Sequence, residues 1–520
     1  MNVLVINGSP RTDNSLTLQT VLFLQKKFCD DKFTFLNLAT HLNALEIDFD
    51  ECAKMIYDAD LLLFSYPVYF GSVTSHLYRF IELLKANRLF LGAKFFTQIT
   101  SSQKYMDFTA HAFIQQNCQD LKMKCIKGFS SFSDSILKEE GQKQALEFFN
   151  FVKYSVQNGI YESPVTLQKN YCGVKVFVPY KQVDRLPGKI CLLTDCSSTD
   201  IQLRSMIDRF RSQSQYSVEV YNLNEQDIKG GCKGCLKCTK NSRCVYKDGF
   251  LELYKNLSIS NAVVLAFTIK NHSIPYQIKK YIDRQFVFGF RNLTRGLPAA
   301  FLVAGPLDDE PYLKIWLTSH ADSQGLNLMG IATDQRTPDF EIDTIVKKMT
   351  YSIQNRYQES RNFFQTAGEK IYRDYIFLNK GFFPADHKYF KKNKIYDFAD
   401  RHLFKSIKTS LKSFFVHLPL LKKKLLPRLS ENILKPYKKL LDRLDEEKSL
   451  ADQKEAIEIT RGLLAKDENF TGLEKAEKES PVASGTEKES ESQQNGQMET
   501  SQEADLEERM PSDDFFKNLS

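Results

Sequence analysis

Four cysteines in the run GGCKGCLKCTKNSRC, Cys232, Cys235, Cys238 and Cys244, follow the spacing C-x2-C-x2-C-x5-C. Thiolates are soft ligands. Three of them, each two residues from the next, converge from one tight loop, and glycines at 230, 231 and 234 free the backbone to wrap around a centre. The pattern suits an iron-sulfur cluster. Zinc, whose sites more often split into two separated pairs, a loop that holds no metal, and redox-active thiols are the alternatives. The other cysteines of the chain's 11 are scattered, as small buried residues are in a reducing compartment.

The opening run VLVINGSPRTDNSLT carries a different chemistry. Val3 to Ile6 is a short unbroken apolar stretch, which suits a parallel strand covered on both faces. Gly8 allows a tight turn, Ser9, Ser15 and Thr17 offer hydroxyls, and Arg11 brings a fixed positive charge. The amphipathic run from Ser15 to Cys29 opens a helix at Leu16 and Thr17, whose N-terminal amides favour an anion. The three-glycine dinucleotide fingerprint and the Gly-Lys-Ser/Thr triphosphate loop are both absent, which leaves a monophosphate as the simplest ligand.

The elements that must hold these residues alternate. Strands at 32–38, 61–66, 95–100 and 125–130, with helices at 48–58, 75–87, 110–121 and 135–157, predict a doubly wound parallel sheet over residues 1–160. Ligands in such sheets bind beyond the carboxyl ends of the strands, where strand order reverses. The loop after the third strand, Pro67-Val68-Tyr69-Phe70-Gly71, combines an aromatic platform with a glycine where the chain must come close, as a flat ring requires. Thr100 and Ser101 end the fourth strand at the same edge.

Gly-Ser-Pro-Arg followed by Ser-x-Thr, and Pro-x-Tyr-x-Gly after the third strand, resemble the flavodoxin-like NAD(P)H-dependent FMN reductases and the iron-sulfur flavoproteins related to them. The resemblance implies an FMN site. Its phosphate would lie on Ser9, Arg11, Ser15, Leu16 and Thr17, and its ring along Pro67, Val68, Tyr69, Phe70 and Gly71, with Thr100 and Ser101 within reach. No catalytic side chain is required, because the flavin carries the chemistry. The compact cysteine motif resembles that of the iron-sulfur flavoproteins, where such residues ligate a [4Fe-4S] centre. The resemblance also implies NAD(P)H as electron donor.

After a proline-containing linker at 161–188, read as pairing in part as an edge strand, the pattern restarts over 189–365. Strands at 189–194, 218–223, 262–267, 299–305 and 326–333 predict a second flavodoxin-like five-stranded sheet in tandem with the first. Both flavin loops depart from the family pattern there. Asp195-Cys196-Ser197-Ser198 replaces the Gly-Ser-Pro-Arg loop and Thr268 to Ser273 replaces the aromatic one, so a carboxylate stands where phosphate charge would lie. The cysteine motif belongs to this half alone. Residues 366–400 read as a helical extension packed on it, and His272 and His387 as surface or capping residues.

The rest of the chain shifts in composition. Residues 401–450 are a basic helical region, with twelve Lys or Arg against Glu431 and Asp442 over 401–443. Such a stretch suits contact with an anionic membrane surface or a solvated helical hairpin; nucleic acid is not expected, since no recognised binding module accompanies the charge. Residues 466–520 are Glu-, Ser-, Gln- and Lys-rich and read as a disordered acidic tail. With 42% hydrophobic residues, no apolar run of spanning length and no leader before the first strand, the chain is expected to be cytoplasmic. The expected function is an FMN-dependent oxidoreductase or electron-transfer flavoprotein, accepting electrons from a nicotinamide or a protein donor and acting as a pseudo-dimer or homodimer. A flavodoxin-like scaffold without catalysis, docking a membrane or a partner, is the rival expectation.

Overall fold

The computed structural model describes residues 1–164, 171–180 and 183–398, with scattered helical positions between 439 and 454. Most of the basic stretch at 401–443 and all of the tail at 466–520 lie outside the described residues. Residues 1–395 belong to one unit.

In the first half, β1 (Asn2–Asn7), α1 (Leu16–Lys27), β2 (Lys32–Asn37), α2 (Leu38–Ile47), α3 (Asp50–Asp58), β3 (Leu61–Pro67), α4 (Ser75–Ala86), β4 (Phe95–Ser102), α5 (Asp107–Asp120), β5 (Lys124–Cys125), β6 (Phe129–Phe132) and α6 (Glu139–Asn158) follow in order. The strands make one parallel sheet ordered β2-β1-β3-β4-β5, with β6 also paired to β4. β5 and β6 are two pieces of the expected fifth strand. The break falls at Gly128, where a Cβ would lie 2.8 Å from the Gln98 carbonyl oxygen, so the chain crosses too close to β4 to hold ladder register. The sheet's central strands are apolar on both faces: Val3 and Val5 pack under α1 and α6, Leu4 and Ile6 toward α4. α2 is an addition to the expected elements.

The second half repeats the design with β7 (Leu186–Thr194), α7 (Ile201–Gln213), β8 (Tyr216–Asn222), α8 (Phe250–Ser258), β9 (Ala262–Thr268), α9 (Tyr276–Arg284), β10 (Pro298–Ala304), α10 (Pro311–Ser323), β11 (Asn327–Thr333) and α11 (Pro338–Asn355). Its parallel sheet is ordered β11-β10-β9-β7-β8. α12 (Phe363–Leu378) and α13 (Pro384–Lys392) form the extension. It packs on α10, and it also reaches the first half, where the Tyr105 hydroxyl donates to the Phe364 carbonyl at 2.7 Å. Among the described residues of the linker before Leu186, strand-like pairing is a single antiparallel bridge, Glu162 to Cys125. Val174 N instead donates to the Asp334 carbonyl at 2.7 Å, and Val176 is buried in the second half's core.

The halves meet α4 against α9 and α5 against α10, and one apolar core runs through both, including Leu77, Tyr78, Ile81 and Phe113 from the first and Ile274, Ile278, Ile282 and Trp316 from the second. Tyr78 and Phe113 stack there with ring centroids 4.2 Å apart.

Gly8 ties this core to the loop after β1. A Cβ there would lie 2.3 Å from Leu77 Cδ1 and 2.4 Å from Cγ, and Leu77 is fully buried. Gly8→Ala is therefore expected to destabilise by about 1–3 kcal/mol through overpacking, read as a lower urea midpoint, and to be partly rescued by Leu77→Ala. An unchanged midpoint would mean that the loop and α4 separate freely.

Candidate functional site

The loop between β1 and α1 is built by its own side chains. Asn7 Oδ1 accepts from Ser9 N at 3.1 Å, Asn7 Nδ2 donates to the Thr12 carbonyl at 3.2 Å, and Ser9 Oγ accepts from Arg11 N at 3.3 Å. Ser15 caps α1, its Oγ accepting from Leu18 N at 3.4 Å. Ser9, Ser15 and Thr17 are buried, whereas Arg11 and Leu16 are exposed. Among the described residues the amides of Leu16 and Thr17 have no acceptor, so the positive end of α1 presents two open donors beside these hydroxyls. Thr17 Oγ1 and Ser101 Oγ share a hydrogen bond of 2.5 Å, which joins this loop to the end of β4. The Thr100 hydroxyl turns elsewhere, to His111 Nε2 at 2.8 Å.

The loop after β3 is a two-residue turn. Tyr69 and Ser72 exchange backbone hydrogen bonds of 2.8 and 3.1 Å, with Phe70 at φ 51° and Gly71 at φ 68°. Only a glycine meets that geometry without strain at Gly71. The second half pins the turn: Trp316 Nε1 donates to the Phe70 carbonyl at 2.8 Å, and Lys279 Nζ to the Tyr69 carbonyl at 3.1 Å. Lys279 is itself fully buried and paired with Asp283, whose other oxygen accepts from Ser75 N at 2.8 Å. His320 lies flat on Trp316, 4.8 Å between centroids and 9° between planes; burial, with Lys279 adding to it, drives its pKa down to about 3, so it is neutral.

The cysteine loop lies directly on these two loops of the other half. A Cβ on Gly234 would sit 2.6 Å from the Tyr69 hydroxyl and 3.1 Å from Arg11 Cγ, and one on Gly231 would sit 2.0 Å from Ser75 Oγ. A side chain at either position would displace these groups, and Gly234 also has φ 61°, a backbone that favours glycine. Burial pushes the Tyr69 phenol well up, with Cys232 and Asp283 acting the same way. Cys232, Cys235, Cys238 and Cys244 line one cavity of about 20 Å³, walled by Leu236, Val245, Phe286 and Val287 with Arg284 at its side. Among the described residues no three Cys, His, Asp or Glu side chains stand close enough to share a metal ion. The donor set fits an iron-sulfur centre in type and in facing one cavity, but at this size the loop must open to admit it. Burial raises two of the thiols, Cys238 to about 11 and Cys232 further, so metal binding at these two would release protons.

The second half keeps the turn. Lys270 and Ser273 exchange backbone hydrogen bonds as Tyr69 and Ser72 do, with Asn271 at φ 52° and His272 at φ 61°. Asn117 Nδ2 donates to the Asn271 carbonyl at 3.0 Å, the counterpart of Trp316 on Phe70. Asp195 is buried with Lys270 Nζ at 3.8 Å; burial raises its pKa to about 6 against the pull of Lys270.

His272 stands where the first half has Gly71, and it is not the surface residue expected from sequence. It is half-buried between Asp120 of the first half, at 2.8 Å from Nε2, and Glu310, at 2.6 Å from Nδ1. Lys85 pairs with the same Asp120 oxygen and Gln116 donates to Glu310. Nothing near His272 in sequence signals these partners. His387 is half-buried on α13.

Two parallel sheets with paired crossover helices, and loops at the carboxyl ends of β1 and β3, define the flavodoxin-like class. Within it, residues 1–133 match the family model described as NADPH-dependent FMN reductase. An iron-sulfur flavoprotein of Archaeoglobus fulgidus is 31% identical over 83 residues, which are 16% of this chain and 37% of that protein. The match thus spans little more than a third of that relative's length. Among solved structures, an FMN-dependent NADH-azoreductase from Bacillus anthracis in complex with FMN aligns at 13% identity over 30% of this chain and 98% of its own, with a TM-score of 0.24. An NAD(P)H:quinone oxidoreductase from Methanothermobacter marburgensis aligns at 11% identity over 31% and 98%, with a TM-score of 0.24.

Two pH effects follow. For His272, burial opposes the charge, but the hydrogen bonds and charges of Asp120 and Glu310 prevail and raise the pKa from 6.5 to about 9, while Asp120 falls to about 2. A raised cation contributes fully below its unfolded value and is lost as pH rises through the folded one. His272→Gln is therefore expected to cost roughly 2–3 kcal/mol near pH 6 and little above pH 9.5, measured as the gap between wild-type and variant urea curves. A gap constant with pH would refute the ion-pair role. Asp195 has the opposite sign: a carboxylate raised from 3.8 to about 6 costs stability once ionised. Asp195→Asn is expected to stabilise by about 1–3 kcal/mol at pH 8 and to be neutral at pH 4, checked by thermal melts at both values.

Proposed function

We propose that the chain is an FMN-dependent oxidoreductase that receives electrons from a nicotinamide or a protein donor, with FMN held by the first half and a [4Fe-4S] centre on the four cysteines of the second. The observation that carries this reading is the seating of Gly231 and Gly234 of the cysteine loop on Ser75, Arg11 and Tyr69. A loop of four thiols lies against both candidate flavin loops, so the fusion brings the two together in one chain.

FMN, when bound, supplies hydride and single-electron chemistry. The chain's part is to bind and orient. The open amides of Leu16 and Thr17, the hydroxyls of Ser9 and Ser15, and Arg11 would hold the phosphate. Pro67 to Gly71 would lie along the ring, with the Tyr69 and Phe70 carbonyls fixed by Lys279 and Trp316 so that the turn cannot rotate away. Thr17 and Ser101 would bound the ribityl side. Cys232, Cys235, Cys238 and Cys244 would hold the cluster, their apolar walls keeping water from it. The absence of glycine and the buried Asp195 leave the second half without a flavin site of its own.

Anaerobically purified protein is expected to be yellow, to release FMN on denaturation, and to contain iron and sulfide. Arg11→Gln should weaken FMN about tenfold, or about 1.4 kcal/mol, while Cys235→Ser should remove the broad cluster absorbance and leave FMN bound. A colourless preparation that cannot be reconstituted with FMN would sink the assignment in favour of a scaffold without catalysis.

A further inference from the structure

The turn between α12 and α13 carries large apolar side chains into solvent. Leu378 is 80% exposed, Phe382 67% and Phe377 41%, and Gly381 beside them has open space around it. The projection is held from behind. The Asn379 carbonyl accepts from Phe382 N at 2.9 Å and Phe383 N at 3.2 Å, while the Asn379 side chain donates to the Tyr375 carbonyl at 2.9 Å. Phe383 turns the other way and is buried, its ring centroid 5.6 Å from that of Tyr375 and 6.5 Å from that of Phe286. Asp386, also buried, ties the first turn of α13 to the body: its Oδ1 accepts from Phe290 N at 2.8 Å and from Arg291 Nε at 3.2 Å, and Arg291 Nη1 in turn donates to Ser242 Oγ at 2.7 Å. Leu378 and Phe382 are therefore presented outward on a fixed support.

Grouped apolar exposure of this kind marks a contact surface, since burying such side chains is favourable. The charge around it says what the contact is with. Residues 377–394 hold five lysines, Lys380, Lys388, Lys391, Lys392 and Lys394, against one acid, Asp386, which Arg291 already holds. All five lysines are exposed and form no ion pair with any described residue, and Lys380 Nζ lies 5.7 Å from the centre of the Phe377 ring. The sequence that follows keeps the same sign, with twelve Lys or Arg against two acids over 401–443. Protein–protein contacts deplete lysine around their apolar centre. An anionic bilayer suits the combination, because apolar side chains enter the acyl boundary while long lysine stems keep their ammonium groups among the headgroups. We infer that the turn between α12 and α13 is an insertion tip for an anionic lipid surface, with Phe377, Leu378 and Phe382 entering the boundary and Lys380 and the lysines of α13 at the headgroups. This contact does not depend on whether the first half holds FMN or the cysteines a cluster.

The test is co-sedimentation of the full chain with vesicles of phosphatidylcholine alone and of phosphatidylcholine with about 30 mol% phosphatidylglycerol. Binding is expected to the anionic vesicles and not to the neutral ones, and should weaken as salt rises from about 50 to 300 mM. The double variant Leu378→Ser with Phe382→Ser should bind the anionic vesicles at least about tenfold more weakly, with unchanged circular dichroism and thermal midpoint. In Phe382→Trp, indole emission, read against the wild type's buried Trp316, should shift to the blue on adding anionic vesicles and be quenched by lipids brominated in their chains, which headgroup contact alone would not produce. No binding to anionic vesicles overturns the proposal. So does full affinity in the double variant, which would assign the binding to residues 401–443, or self-association lost in that variant with no vesicle binding in the wild type, which would make the tip a contact between copies of this chain.

Discussion

Each half of the molecule buries the outer carbonyl of a tight turn in the face it presents to the other, and a buried carbonyl must find a donor. The first half's turn receives Trp316 on the Phe70 carbonyl, and the second half's receives Asn117 on that of Asn271. These reciprocal bonds fix how the two sheets face each other. The remaining inter-half contacts follow from that placement: the Tyr78 hydroxyl lies between Ser72, at 2.9 Å, and Ser273, at 2.7 Å, where α4 meets α9. Because Phe70 belongs to the loop proposed to carry the flavin ring, the shape of that loop is set as much by the second half as by the first.

The symmetry stops at the chemistry. Tyr78 on α4 corresponds to Lys279 on α9, and Gly71 to His272, so one turn is gripped by a buried ammonium and the other by nothing comparable. His272 instead turns its left-handed backbone position into an ion pair that crosses the interface. After β2 the first half continues into α2, whereas after β8 the second half spends the same topological position on the cysteine loop. In the proposed reading each half contributes one face of a shared site: the loops after β1 and β3 on one side, the thiols on the other. A fused pair can diverge in this way, since neither copy has to be self-complementary as subunits of a symmetric dimer must be.

Local pattern carried much of this into view. Apolar strand runs, the turn residues after β1 and β3, and the cysteine spacing are short-range signals, and the strands and site loops stand close to where those signals put them. α2 also left a trace, with Leu38, Leu42 and Leu45 on one buried face, but β2 runs into it through Asn37 with no glycine or proline to mark the change. The split of the fifth strand depends on how near Gly128 comes to Gln98, which no local pattern encodes. The His272 clamp depends on Asp120 and Glu310, far away in sequence, and the contact of Gly234 with Tyr69 joins loops from different halves. Propensity sets elements; only packing of one half on the other sets these.

The cysteine loop is the place where local and tertiary demands conflict most. Leu236 and Ser242 take up left-handed backbone, at φ 59° and 58°, alongside Gly234 at 61°. For residues with a Cβ this costs free energy, and such strain persists only where surrounding contacts over-determine it. Those contacts are present: Arg284, buried, is held by Asp248 at 2.8 and 2.9 Å and by the Gly230 carbonyl at 3.1 Å, with Tyr246 and Phe250 packed against its guanidinium. One end of the loop is therefore clamped to α9 and the other, through Ser242, to Arg291, while the four thiols lie between. A loop strained and fastened at both ends has few ways to relax by itself. Any movement of the loop passes directly to Tyr69 and Arg11, against which it is packed.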